Sequence, residues 1–401
     1  MRVTDLVAPL RDRAVPVPGR GGCYAVVPLP FGADPQIDFR GSEGLLAVAR
    51  RELDELGQVV RDYPDANLLL KMLNRREAVD SSQIEGTRTQ FDELLLYEMN
   101  LGTTDAVANK DAAETLSYVT AFNQAYDQVK AHGKSALNQA LISQIHSALM
   151  VDHQRMLPGA FRQIQNYIGL TLERARYIPP PPDHVPGLME NLQTLLQYEP
   201  ASPMETSILL RMAMVHAQFE AIHPFLDGNG RTGRMMLPLM MVAEGLPPIH
   251  LATFLKARQQ QYYDALLEVQ LRLNWTPWLK LLLECVIASA MHTRELVTRM
   301  EDVKYEWRMV VTPTVRKDAA VLRLLTVLPA HPVITVKQAA QLLGASFPTA
   351  NHAMEQLVKH DIVRLVRDQG RNRVYHAHQI LNALYTGVDD VLRKAERVSV
   401  F

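Results

Sequence analysis

The stretch from His223 to Arg234 reads HPFLDGNGRTGR and gathers residue types that together could handle a phosphate. Proline disfavours helix at the residue before it, so His223 stands at a helix end, facing the loop that Pro224 opens. An imidazole there can serve as a general base near neutral pH. Asp227 offers a hard oxygen ligand of the kind Mg²⁺ takes alongside substrate phosphates. Gly228, Asn229 and Gly230 permit backbone conformations in which successive N–H groups converge on an anion. A helix starting near Arg231 would aim its positive end at the same spot. Arg231 and Arg234, three residues apart, fall on one helical face and could clamp phosphate oxygens. Singly, each feature has a plainer use: a capping histidine, a glycine turn, a solvated arginine face. Together they describe a phosphate site with a general base beside it.

The rest of the composition narrows the setting. A length of 401 residues suggests two or three domains at about 150 residues each. With 47% hydrophobic and 21% charged residues, each can bury an ordinary core. A net charge of −1 supplies no global field toward nucleic acid or an anionic membrane. Cys23 and Cys285 form no CxxC pair, which argues against a disulfide framework or a thiolate zinc site and for a reducing cytosol. The N-terminus MRVTDLVAPLRDR places Asp5 and Pro9 where a signal peptide needs an apolar run. No segment approaches the ~18 to 20 apolar residues of a spanning helix. The expectation is a cytoplasmic protein with no membrane partner. No GxxxxGK(S/T) is present, which excludes a Walker-type ATPase. His216, Glu220 and His223 share helical spacing, but they lack the HExxH order, and Pro224 closes the helix at the third, so a zinc hydrolase is set aside.

Elements that would position the motif follow from apolar periodicity. Residues 1–41, rich in Pro and Gly, read as an irregular, partly extended lead-in. Helices are expected from Ser42 to Tyr63, over NLLLKML to Arg75, over FDELLLYEM after an interruption at REAVDSSQIEGTRTQ, and at 108–132, 137–151, 184–197, 203–222, 231–245, 253–272 and 276–307. Met235, Met236, Met240 and Met241 read as core packing, with Pro238 a candidate kink. Residues 159–182 alternate, carry β-branched and aromatic side chains and end in four prolines, which fits a short hairpin. Beyond residue 310 the order is three helices and then two strands joined by DQGRN, a winged helix-turn-helix. Its third helix, SFPTANHAMEQLVKH, the expected recognition helix, holds Lys359 but no arginine. The basic residues Arg364, Arg367, Arg371 and Arg373 cluster on the wing instead. That favours a protein-interaction or dimerisation module over a DNA-binding regulator, which stays open.

HPFLDGNGRTGR resembles the Fic family signature HxFx(D/E)GNGRxxR at every defining position, and the likeness extends over roughly residues 30–290. The resemblance implies a mainly α fold, a Fic helical core with a β-hairpin flap, here followed by a C-terminal winged helix-turn-helix. It implies transfer of AMP from ATP, with Mg²⁺, to a Ser, Thr or Tyr hydroxyl of a target protein. Carried over, His223 would take the hydroxyl proton and Asp227 would hold Mg²⁺. Gly228, Asn229 and Gly230 would cradle the phosphates, Arg231 would neutralise developing charge, and Arg234 would grip the γ-phosphate. Gly159, Phe161, Arg162 and Ile168 would belong to the flap on which the target docks as an added strand. RQQQYYDALLEVQ resembles the adenine-side helix, with Tyr262 or Tyr263 as a wall and Gln270 at the adenine edge.

SSQIEG resembles the family's inhibitory helix, (S/T)xxxE(G/N), through Ser81, Glu85 and Gly86. Ser81 and Glu85 lie one turn apart and Gly86 suits a helix stop, so an ordinary cap is the plainer reading. The resemblance implies that Glu85 pairs with Arg234 and holds ATP in an unproductive pose, or that it aligns a water for removing AMP. The expected organisation is an N-terminal helical region over 1–107 with the inhibitory helix at 81–86, a Fic core over 108–300 and a winged helix over 310–385. A homodimer is the common association for such a chain. The alternatives are a Fic-type enzyme that moves another group, such as UMP or phosphocholine, and a DNA-binding regulator whose core senses nucleotide.

Overall fold

The computed structural model describes residues 1–100, 109–200, 207–316, 319–367 and 373–398. The partly extended lead-in is more ordered than the sequence reading expected. Residues 1–41 carry a short helix α1 (Ala8–Arg11) and an antiparallel pair, β1 (Ala14–Pro16) and β2 (Tyr24–Val26), with Ala14 opposite Val26. Leu6, Leu10, Val17 and Val26 bury against Tyr177, Ile178, Ala221 and Leu271, and the Val26 N–H donates to Ile178 O at 2.9 Å. These apolar residues have no period of their own. Burial against a distant segment orders them, which local pattern does not reveal.

α2 (Glu43–Asp62) forms as expected, with Leu45, Leu46, Ala49, Leu53 and Leu56 buried. α3 (Ala66–Ile84) does not stop at Arg75 but runs through REAVDSSQI to Glu85. The expected interruption is helix because its polar residues are buried with partners rather than solvated. Glu77 Oε2 accepts the Ala252 N–H at 2.9 Å, and Asp80 accepts from Thr253 Oγ1 at 2.5 Å and Lys256 Nζ at 2.8 Å. The Arg76 guanidinium donates to Leu384 O and lies 4.6 Å from the Tyr385 ring centroid. Gly86, at φ +102°, then turns the chain out of the helix.

α4 (Phe91–Asn100) precedes the Asn109-capped α5 (Lys110–His132) and the Asn138-capped α6 (Gln139–Leu149). The hairpin expected over 159–182 is reduced to β3 (Ile168–Gly169) and β4 (Ala175–Tyr177); the flanking residues are irregular. α7 (Val185–Leu196) and α8 (Ile208–Ile222) follow, and residues 203–206 of the expected helix lie outside the described residues. α9 (Asn229–Ala243) includes Pro238 and buries all four methionines. The single helix expected over 253–272 is two, α10 (Ala252–Ala257) and α11 (Gln259–Arg272). They part at Arg258, whose guanidinium reaches Glu284 Oε2 at 2.5 Å and Cys285 Sγ at 3.2 Å. α12 (Thr276–Val311) spans 36 residues, about 54 Å at 1.5 Å per residue. α8 is buried on almost every side and packs against α7, α9 and α11; α12 packs against α2, α8 and α11.

The C-terminal segment holds α13 (Ala320–Val327), β5 (Val333–Thr335), α14 (Val336–Leu343), α15 (Phe347–Lys359), β6 (Arg364–Arg367) and β7 (Val374–His376). The strands make an antiparallel sheet ordered β5–β7–β6, so a strand not expected from the sequence precedes the second helix. The turn Asp368 to Asn372, with Arg371, lies outside the described residues. α16 (His378–Tyr385) and α17 (Val388–Val398) then return to pack on α12. One apolar cluster runs from α2 through α8 and α12 into α15 and α17. Cys23 and Cys285 are both free and buried. Among the described residues no helix is long and apolar enough to cross a membrane.

Arg76 ties α3 to the C-terminal helices. Arg76→Ala removes a charged hydrogen bond and is expected to lower unfolding stability by about 1.5–3 kcal/mol in urea titration. An unchanged midpoint would show that the contact carries no weight.

Candidate active site

α8 ends at His223, which takes the left-handed conformation at φ +49° so that Pro224 can lead the chain out. That strained turn is held from the flap side. Arg162, buried and without a carboxylate, donates from Nε to His223 O at 2.9 Å and from Nη2 to Pro180 O at 2.5 Å, and its backbone N–H reaches Pro224 O at 2.9 Å. Burial lowers the Arg162 pKa to about 10, which still leaves it cationic at neutral pH. Asn166 adds Nδ2 bonds of 3.2 Å to Phe225 O and Leu226 O.

The loop is also fastened from within. The Asn229 amide donates to Phe225 O and accepts from the Phe225 N–H, both at 2.9 Å. His146 stacks on Phe225 with centroids 3.7 Å apart. Its Nδ1 accepts the Gly159 N–H at 2.8 Å, so Nε2 carries the hydrogen and donates to Asp227 O at 3.0 Å. Gly228 is required twice: at φ +74°, and because a Cβ there would sit 3.0 Å from Met150 Sδ. It caps α9, whose first-turn N–H groups have no intrahelical acceptor and point toward the loop.

Beside this loop lies a cavity of about 220 Å³ whose lining includes Glu85, Ile168, Glu220, His223, Gly230, Arg234, Tyr262, Tyr263 and Gln270. Arg234, 1% exposed, donates from Nε to Ser81 Oγ at 2.9 Å and from Nη2 to Ser81 O at 3.0 Å and Glu85 Oε1 at 2.6 Å. Burial works against its charge, but the Glu85 carboxylate outweighs burial and raises the pKa above its ordinary value. Glu85 is 36% exposed. A Cβ at Gly230 would fall on Glu85 Oε1, so glycine there makes room for the pair. Tyr262 is buried and shares a 2.7 Å bond with His216 Nε2. Tyr263 and Gln259 both donate to Ile84 O, at 3.3 and 2.8 Å, and so hold the end of α3. Burial, then the Arg162 charge, lowers the His223 pKa from the ordinary 6.5 to about 4. The imidazole is therefore neutral at pH 7, with a ring lone pair available to accept a proton.

Thus Glu85, Ile168, His223, Gly230, Arg234, Tyr262, Tyr263 and Gln270 share one cavity, with Ser81 behind Arg234 and Gly86 just past the helix end. Gly228 and Asn229 shape the loop. Gly159, Phe161 and Arg162 lie under it, Phe161 packing on Phe225 at 5.6 Å between centroids. Arg231 and Arg234 turn to different partners. Arg231 turns toward Met150 Sδ at 3.5 Å and Glu114 Oε2 at 3.8 Å, because a carboxylate of α5 lies on that side of α9. Asp227 is exposed, and its Oδ1 accepts the Gly228 N–H at 2.6 Å. A single free carboxylate fits Mg²⁺, which draws its other ligands from phosphate and water. Among the described residues no three His, Cys, Asp or Glu side chains group as a metal site. Sequence reading missed His146 and the role of Arg162, which meet the loop only through the fold. It weighed Glu220 only as a zinc ligand.

Residues 44–127 match the family model described as Fic/DOC family N-terminal, and residues 136–241 match that described as Fic/DOC family. Protein adenylyltransferase fic-1 of Caenorhabditis elegans is 32% identical over 143 residues, covering 32% of this chain and 26% of that protein. Protein adenylyltransferase Fic of Culex quinquefasciatus is 30% identical over 142 residues, covering 35% and 26%. The chain therefore spans about a quarter of the length of these curated relatives. A solved Fic family protein from Desulfovibrio desulfuricans G20 superposes with a TM-score of 0.52 at 18% identity, covering 86% of this chain and 97% of that one. A Fic domain containing signaling protein from Bacteroides thetaiotaomicron VPI-5482 gives 0.50 at 19% identity, covering 64% and 97%. At such identities these two structures show a shared fold.

Burial holds His146 and His223 at about 4 and His216, His250 and His292 at about 3, against 6.5 when unfolded. The unfolded chain binds more protons in that window, so their contribution is complete above pH 6.5 and is lost as pH falls toward 4. Glu77 and Glu220, raised by burial to about 8 and 7, act in the opposite sense but are fewer. The melting temperature is expected to fall between pH 6.5 and 4.5 in calorimetry; a flat or rising value would contradict neutral buried imidazoles.

Proposed function

Because the chain belongs to the Fic/DOC family, we propose that it is a protein adenylyltransferase that moves AMP from ATP to a Ser, Thr or Tyr hydroxyl of another protein, restrained by its own Glu85. The observation that carries this reading is the Glu85–Arg234 pair inside the cavity that His223 lines. A guanidinium so deeply buried attracts whichever anion reaches it, and a γ-phosphate and a carboxylate cannot both take the same edge.

In the transfer, His223 accepts the target's hydroxyl proton while that oxygen attacks the α-phosphorus and pyrophosphate leaves. The αL turn, pinned by Arg162, keeps the imidazole at the mouth of the loop. First-turn N–H groups of α9 stabilise phosphate charge, and Arg234 orients the terminal phosphate. Asp227 would hold Mg²⁺, which supplies charge neutralisation across the phosphates when bound. Tyr263 and Gln270 border the base, and the target segment lies along β3. The distant relatives named for adenylyl transfer support the transferred group, although they match only about a third of this chain.

We also infer three working regions: the helical N-terminus over 1–107, the transferase core over 108–300 and a winged helix over 310–385. The order α13, β5, α14, α15, β6, β7 supports the last. Arg364 is engaged by Asp361 at 2.8 Å and Arg373 by Asn351 at 2.5 Å, while Leu365 and Val366 on edge strand β6 are exposed. Those features favour a protein-contacting or dimerising surface over a DNA grip.

Wild-type, Glu85→Gly and Glu85→Gly/His223→Ala chains, given Mg²⁺ and α-labelled ATP in cell lysate, test the reading. Glu85→Gly is expected to label protein about 100-fold faster than wild type, about 2.7 kcal/mol, and the double variant not at all. No label from Glu85→Gly with ATP binding intact would overturn it.

A further inference from the structure

His223 can take a proton only if Nε2 is bare, so the ring hydrogen must sit on Nδ1 and find an acceptor. Nδ1 of His223 is buried and makes no well-formed hydrogen bond among the described residues; the Glu220 backbone carbonyl faces the ring but does not meet that geometry. Oε2 of Glu220, one turn earlier on α8, lies 3.8 Å away. Glu220 is buried too, and its Oε1 also lacks a partner. Gly233 in α9 keeps the space for this carboxyl: a Cβ there would stand 2.7 Å from Oε1 and 2.9 Å from Phe219 Cδ1. The His223 carbonyl is fixed by Arg162, and an approach of the two side chains from 3.8 Å to ~3 Å would make the contact a hydrogen bond.

We propose that Glu220 is a positioning residue for His223, accepting the Nδ1–H so that Nε2 faces the cavity as the base. The inference rests on the adenylyl-transfer reading above and assigns its base a partner. In the step, the hydroxyl proton moves to Nε2, the new O–P bond forms and the bond from the α-phosphorus to the bridging oxygen breaks. Pyrophosphate departs with that electron pair, and Glu220 gains no proton. Its negative charge stabilises the imidazolium until the proton leaves.

The groups facing Glu220 are Arg234 from α9, Glu85 from α3, Tyr262 from α11, and His216 and His223 from its own helix. Burial raises Glu220 to about 7, Arg234 pulls it down and Glu85 pushes it up. Removing Glu85 therefore favours the carboxylate, the form that can hold the imidazolium.

The test uses the full chain carrying Glu85→Gly, with Glu220→Ala and Glu220→Gln added separately. With Mg²⁺–ATP, Glu220→Ala is expected to lower kcat about tenfold or more with little change in KM for ATP. Glu220→Gln, which keeps an acceptor but no charge, should fall between and lose the acid limb of the pH profile near or below 7. Ring ¹⁵N shifts of histidine-labelled protein give a readout independent of transfer. They should place the His223 hydrogen on Nδ1 with Glu220 present and show a mixed or reversed tautomer in Glu220→Ala. An unchanged tautomer, or an unchanged kcat and pH profile, overturns the proposal. If the Glu85→Gly chain transfers nothing, the transfer reading fails by itself and the tautomer alone decides the pairing.

Discussion

A guanidinium taken out of water must find an acceptor, and Arg234 finds its own on a different helix. Ser81 supplies a hydroxyl and a carbonyl, and Glu85 supplies the charge. Much of the surrounding structure serves that meeting. α3 has to reach Glu85 as unbroken helix, which it does by burying Arg76, Glu77 and Asp80 with partners on α10 and α16. α9 has to begin with glycines, because any side chain at Gly230 would occupy the carboxylate's place. Tyr263 and Gln259 both hold the last carbonyl of α3, that of Ile84, so that its end faces the cavity.

The two halves of the site differ in how firmly they are held. The loop from His223 to Asn229 is fastened by Arg162, Asn166, His146 and its own Asn229, each bond buried or half-buried. Such cross-linking suits a group that must meet a reacting oxygen at one place. Glu85 stands at a helix terminus and is 36% exposed. A single ion pair, open to water on one side, is a contact that a polyphosphate can displace. Rigid base and displaceable brake thus both follow from burial, deeper in the first case and shallower in the second.

The legible parts of the site were those written contiguously. HPFLDGNGRTGR and SSQIEG each keep their groups close together in the chain, so both could be matched to a family pattern, and that resemblance, not spacing, led to the expected Glu85–Arg234 encounter. The helical body was legible wherever apolar residues repeat at helical spacing, as in α2, α7 and α12. It was not legible in the second half of α3, where the buried face is polar, or in the lead-in, where burial against Tyr177 and Ile178 orders an aperiodic segment. Arg231 and Arg234 seemed alike from spacing, yet Glu114 on α5 draws one away while Glu85 on α3 draws the other. His146 lies far from Asp227 in sequence, and no local pattern joins them. Glu220 was visible as a helical neighbour of His223, but the 3.8 Å approach of its carboxyl to Nδ1 needed coordinates.

Competition for Arg234 is most directly measured by calorimetric affinities of Mg²⁺–ATP and Mg²⁺–ADP for the wild-type and Glu85→Gly chains. If Glu85 occupies the seat of the terminal phosphate, wild type binds the two nucleotides about equally. Glu85→Gly should then prefer ATP by about tenfold or more, one charge-assisted contact of about 1.4 kcal/mol. The same ATP-to-ADP ratio in both chains would contradict the competition and leave the Glu85–Arg234 pair a structural contact only.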